Sequence, residues 1–118
     1  MEVDRDSLKE EKTRLLRRLA EIEVEEQRRR GTFKSVPHYS VLEQAAHGLG
    51  QELSRLTQER AVAEVTAVAA SRVTCPKCGR DCEVVTRKRT VTSLDGPIEA
   101  IESVAFCPAC RRDFFPSA

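Results

Sequence analysis

The sequence is poor in aromatic side chains. Trp is absent, Tyr occurs once and Phe four times in 118 residues, while a third of the residues are charged. A chain of this composition cannot build a large apolar core, so its stability has to come from a metal and from helix packing, including packing between subunits. Charge of one sign is also missing. The formal net charge is +1, so a case for nucleic-acid binding has to rest on local patches and not on overall basicity. There is no apolar run of membrane length, and the opening Met1-Glu2-Val3-Asp4-Arg5-Asp6 has no signal-peptide character. This composition implies a cytoplasmic chain with reduced thiols and no membrane partner. No Walker-type or dinucleotide fingerprint occurs, and no carboxylate pair stands beside a nucleophile or a glycine-rich loop. His38 and His47 share no ligand geometry. The sequence therefore reads as non-enzymatic, with no small-molecule substrate.

What the sequence does have is cysteine in pairs. Cys75-Pro76-Lys77-Cys78-Gly79 and Cys107-Pro108-Ala109-Cys110 both carry C-x₂-C spacing, and 28 residues separate the inner cysteines. A tight turn lets two thiolates converge on one Zn²⁺, and a second turn returned by a β-hairpin completes a tetrahedron. Pro76 and Pro108 fix φ in the turns, and Gly79 follows where a positive φ is often needed. Redox motifs of the same spacing sit between a strand and a helix, a pattern absent here. The expected cofactor is one structural Zn²⁺ per chain on Cys75, Cys78, Cys107 and Cys110, which leaves no open position for catalysis. Cys82 is unpaired in this scheme. Two readings stand for it: a small buried hydrophobe at a strand start, or a substitute ligand.

The chain divides into an expected helical region, 1–71, and an expected zinc ribbon, 72–118. Leu8, Leu15, Leu19 and Ile22 recur at helical intervals, widened by Leu16. With Asp6 or Ser7 as cap and Gly31 as stop, they predict a helix over roughly 7–30. Leu42, Ala46, Leu49, Leu53, Leu56, Ala63, Ala67 and Ala70 follow 4-3 spacing, interrupted by Arg60, and predict a second helix over about 38–71 with a coiled-coil-like seam. Gly48 and Gly50 inside it suggest close helix approach or a kink. Two such helices bury too little alone, so a homodimer or other homo-oligomer through the helices is expected. In the second half, the β-branched run Glu83–Thr92, the turn Asp95-Gly96-Pro97 and Ile98–Phe106 predict a hairpin between the knuckles. Phe114-Phe115-Pro116 reads as a last short strand, and Phe106, Phe114 and Phe115 as a mini-core.

Arg87, Lys88 and Arg89 lie mid-strand, and Lys77, Arg80, Arg111 and Arg112 flank the knuckles. These side chains could contact nucleic-acid phosphates. They could equally protect an exposed strand edge by charge, since residues 72–118 hold only eight Lys/Arg against six Asp/Glu. Arg14, Arg17, Arg18 and Arg28–Arg30, interleaved with glutamates, read as a solvated helix face.

The stretch from Tyr39 to Pro116 resembles the N-terminal region of a group of bacterial insertion-sequence transposases. The shared features are a helix like Tyr39-Ser40-Val41-Leu42-Glu43 … Leu49-Gly50-Gln51-Glu52-Leu53, then Cys75–Gly79, the Thr/Arg-rich Arg87–Thr92, Gly96-Pro97, Cys107–Cys110 and Phe114–Pro116. Such transposases continue into an RNase H-like catalytic domain, which does not begin before Ala118. The resemblance implies DNA-end recognition and subunit assembly and assigns no catalytic residue here. The expected fold is α+β, a helical hairpin or coiled coil followed by a four-cysteine zinc-ribbon hairpin. The expected function is DNA binding and oligomerisation in a transposase-like context, with Lys77, Arg87, Lys88, Arg89, Arg111 and Arg112 as contacts. The alternative is a protein–protein adaptor with a purely structural ribbon.

Overall fold

Two helices precede a four-stranded antiparallel sheet in the computed structural model, which describes residues 2–116. Met1, Ser117 and Ala118, the outermost residues of the two expected regions, lie outside the described residues. The elements run α1 (Glu2–Arg30), α2 (Tyr39–Ala67), β1 (Arg72–Thr74), β2 (Asp81–Ser93), β3 (Gly96–Cys107) and β4 (Arg112–Phe114). No described helix is long and apolar enough to cross a membrane. The chain divides into two compact units at Leu49 and Gly50, so α2 contributes to both.

In the first unit, α1 begins five residues before the expected start. Asp6 and Ser7 therefore lie inside the helix and do not cap it. Nothing ahead of Ser7 breaks a helix, and Asp4 and Asp6 suit the positive end of its dipole. Its C-terminus is fixed by Gly31. At φ 88°, Gly31 lets its own N–H reach the carbonyl of Arg28 and lets the Thr32 N–H reach that of Gln27, both at 3.1 Å. This 5→2 and 6→1 pair is a Schellman stop. Arg28 and Arg29 return to Glu25, and Arg30 lies 3.7 Å from Glu26, so the terminal arginines are held along their own helix. Ala20, Val24 and Gln27 of α1 line a groove with Phe33, Leu42 and Leu49, and Gln27 is buried there. Leu8, Leu15 and Leu16 stay about half exposed or more.

α2 starts at Tyr39, just past Pro37. The His38 carbonyl accepts the Val41 N–H at 2.9 Å, and its Nδ1 faces the Ser40 N–H at 3.3 Å. The helix ends at Ala67, four residues short of the expected end. By Ser71 the backbone already belongs to the sheet, because the Ser71 carbonyl accepts the Val84 N–H at 2.8 Å.

The second unit is a meander of order β1-β2-β3-β4. β2 and β3 form its long hairpin, in one unbroken register from Val84↔Ala105 to Ser93↔Gly96. Gly96 closes the turn at φ 111°. α2 serves this hairpin in two places. Ser54 donates to the Asp95 carboxylate at 2.5 Å and Arg55 to the Asp95 carbonyl at 2.8 Å, which pins the turn. Along the outer edge of β3, Glu59 accepts the Glu99 N–H at 3.1 Å and Thr66 donates to the Ile101 carbonyl. These bonds occupy backbone groups that would otherwise form an open sheet edge.

The core is not aromatic. Cys75, Cys82, Ala105 and Cys107 are buried together, with Val73, Val84, Cys110 and Phe114 packed against them. The expected mini-core is therefore corrected: Phe114 belongs to it, whereas Phe106 is 50% and Phe115 59% exposed. The cause is strand alternation. Phe106 lies between buried Ala105 and Cys107 and so faces the opposite side of the sheet.

Candidate metal centre

Two similar turns build the cluster. In the first, the Gly79 N–H donates to the Cys75 carbonyl at 3.0 Å, and the Cys75 N–H donates to the Arg80 carbonyl at 2.8 Å. In the second, the Arg111 N–H donates to the Cys107 carbonyl at 2.8 Å. β1 leads into the first turn and β2 out of it, and β3 and β4 flank the second. The pairings Thr74↔Asp81 and Cys107↔Arg112 hold the mouths of both turns closed.

The Sγ atoms of Cys75, Cys78, Cys107 and Cys110 all lie within 4.8 Å of one another. Across the two pairs, Cys75 to Cys110 is 3.9 Å and Cys78 to Cys107 is 3.5 Å. Four sulfurs around one ion at a Zn–S length of about 2.3 Å stand roughly 3.8 Å apart in a tetrahedron, so this cage has the size of a metal shell. The separations are far beyond a disulfide bond of about 2 Å, and all five thiols are free. Four close cysteines that could bind a metal ion are thus present.

Backbone dipoles and burial set the thiols apart. The N–H of Cys110 points at the Cys107 sulfur from 3.5 Å, and this contact above all pulls the Cys107 thiol down to about 6. The N–H groups of Cys78 and then Lys77 lower the Cys75 thiol. Burial pushes the Cys110 thiol up to about 12 and also raises Cys82. Cys82 is 2% exposed, stands outside the four-sulfur group, and directs its own sulfur to the Arg80 carbonyl at 3.5 Å. Of its two readings, the buried small hydrophobe matches this position.

The basic residues fall into three places. Lys77, Arg80 and Arg111 are exposed on or beside the cysteine turns, and none has a carboxylate within 4.0 Å among the described residues. Arg112 is half-buried, and its Nε lacks a hydrogen-bond partner. Arg87 and Arg89 share one sheet face with Glu102, and Lys88 stands on the other, opposite Ile101. Arg89 holds Glu102 at 2.5 Å, whereas Arg87 lies 3.8 Å from Glu102 and 3.6 Å from Asp113. Sequence reasoning did not anticipate these carboxylate partners. Only the register, which sets Arg87 directly against Glu102, reveals them.

No family model, curated protein or solved structure matches the chain.

Proposed function

We propose that this chain is a non-enzymatic DNA-binding and self-associating module, a zinc ribbon carried on a coiled-coil-like helical region, in a transposase-like context. The observation that carries the reading is the four-sulfur cage with exposed Lys77, Arg80 and Arg111 around it. Four soft thiolates at tetrahedral spacing suit Zn²⁺, and a filled shell leaves no position for water or substrate. The loaded cluster would carry a charge of about −2, which the three exposed cations beside it more than offset, leaving them open to phosphate. Self-association is supported by apolar side chains left in water along the helices, including Leu8, Leu15 and Leu56. Gly48 and Gly50 add to this, because a Cβ at either would meet nothing within 4 Å of its own chain.

The test is a salt-dependent titration of the metal-loaded protein with duplex DNA. Phosphate contact predicts a steep linear loss of log affinity with log salt. Replacing Lys77, Arg80 and Arg111 by Ala should weaken binding to all duplexes and flatten that slope, and replacing Arg28, Arg29 and Arg30 should do less. No binding at low salt, or equal loss from the helix set, would favour the protein–protein adaptor.

A further inference from the structure

Two of the four phenylalanines stand in water on the same side of the sheet. Phe106 pairs with Asp113 across β3 and β4, and Phe115 follows the end of β4 with its ring beneath Arg87 and Arg89 of the same face. Alternation brings Val85, Arg87 and Arg89 of β2 and Glu102 and Val104 of β3 to this face. The guanidinium carbons of Arg87 and Arg89 each lie 6.0 Å from the Phe115 ring centroid. Arg87 approaches Glu102 and Asp113 only at 3.8 and 3.6 Å, outside hydrogen-bond range, so its N–H donors remain open.

We infer that this face binds single-stranded nucleic acid, with unpaired bases stacking on Phe106 and Phe115 and a phosphate taken by Arg87. The inference rests on the nucleic-acid reading above and gives that reading a second ligand class. Exposed rings bearing arginine are the elements of a stacking platform, since every base offers a π-face and guanidinium donors serve the backbone. A duplex cannot use the rings, because its bases are already stacked. The two arginines and the two carboxylates, Glu102 and Asp113, cancel formally on this face. Affinity here must therefore come more from stacking than from counterion release, and its salt dependence must be shallow. The knuckle cations, which lack such partners, should give duplex binding a steeper slope. A second copy of the chain fits this face less well, because paired charges interrupt its apolar side chains.

The experiment titrates the metal-loaded full chain against a labelled oligothymidylate and against a duplex, each over a salt series. Phe106→Leu and Phe115→Leu keep an apolar side chain and remove the ring, and each should weaken oligothymidylate binding about tenfold while leaving duplex binding within about twofold. Phe106→Tyr and Phe115→Tyr keep a stacking ring and should bind like wild type. The cobalt absorption of the cysteine cluster verifies that each variant retains its fold. Leucine variants that bind oligothymidylate as tightly as wild type would overturn the inference. So would leucine variants that instead change the sedimentation coefficient. Duplex binding without oligothymidylate binding would sink this inference alone. Failure to bind either would sink the DNA reading as well.

Discussion

Gly79 and Arg111 hold the same place in two unrelated stretches of sequence. Each lies four residues after the first cysteine of its pair, each donates its N–H to that cysteine's carbonyl, and each has positive φ, 74° and 53°. The turn that gathers two thiolates demands a left-handed residue at this point, whichever amino acid supplies it. Glycine enters that region freely, whereas a side chain with a Cβ costs about 1 kcal/mol or more. Arg111 accepts this strain at the candidate metal site and leaves its side chain exposed.

Arg111→Gly should accordingly stabilise the metal-loaded protein by about 1 kcal/mol, and Gly79→Ala should destabilise it by a similar amount. No atom crowds a Cβ at Gly79, so the second effect is one of backbone conformation alone. Chemical denaturation of both variants checks the pair. If Arg111 is also a phosphate contact, its glycine variant will gain stability and lose duplex affinity together. A loss of stability in Arg111→Gly would contradict the strain account.

Gly48 and Gly50 make a second, independent case. Both lie inside α2, both lack positive φ, and a Cβ at either meets nothing within 4 Å. Gly48→Ala and Gly50→Ala should each raise monomer stability by about 1 kcal/mol, as helix propensity dictates. If close approach of a second chain is why glycine stands there, the same substitutions should weaken assembly in sedimentation at matched concentration. Variants that lose thermal stability would show that the glycines serve a contact within the chain.

The features that were legible in the sequence are those fixed over a few residues. The C-x₂-C pairs, the β-branched run of β2, the Asp95-Gly96 turn and the helix stop at Gly31 all depend on near neighbours. β1 was not legible. Arg72–Thr74 is a strand only because the first cysteine turn returns β2 beside it. The burial of β3 is not legible for a related reason. Ile98, Ala100 and Val104 are buried on one face, but Ala105 and Cys107 are buried on the other. α2 bonds along the far part of the strand, whereas the sulfurs gather at its near end. Phe106 shares the parity of the first set and lies beyond the switch, so its aromatic character alone could not tell which face it takes.

Acid should unload the metal. Only thiolate ligates, so binding displaces protons and weakens as pH falls. Because the sheet folds with the metal, the N–H contact that pulls the Cys107 thiol down forms in the folded cage and does not ionise that thiol beforehand. Log affinity should therefore fall continuously as pH drops. A chelator competition series from about pH 8 to about pH 5 measures it, and an affinity independent of pH would contradict ligation by thiolate.

The proposed zinc ribbon requires one metal per chain, coupled to the fold of the sheet. At under about 50 residues, that part is too small to depend on apolar burial alone. Elemental analysis of freshly purified, reduced protein, paired with amide exchange on wild type and Cys107→Ser, tests this most directly. The predicted result is one zinc per chain in wild type. Cys107→Ser should lose the metal and the protection of residues 75–116 while retaining much of the helical signal. Wild type without zinc, a Cys75–Cys78 disulfide, or a Cys107→Ser sheet as protected as wild type would contradict it.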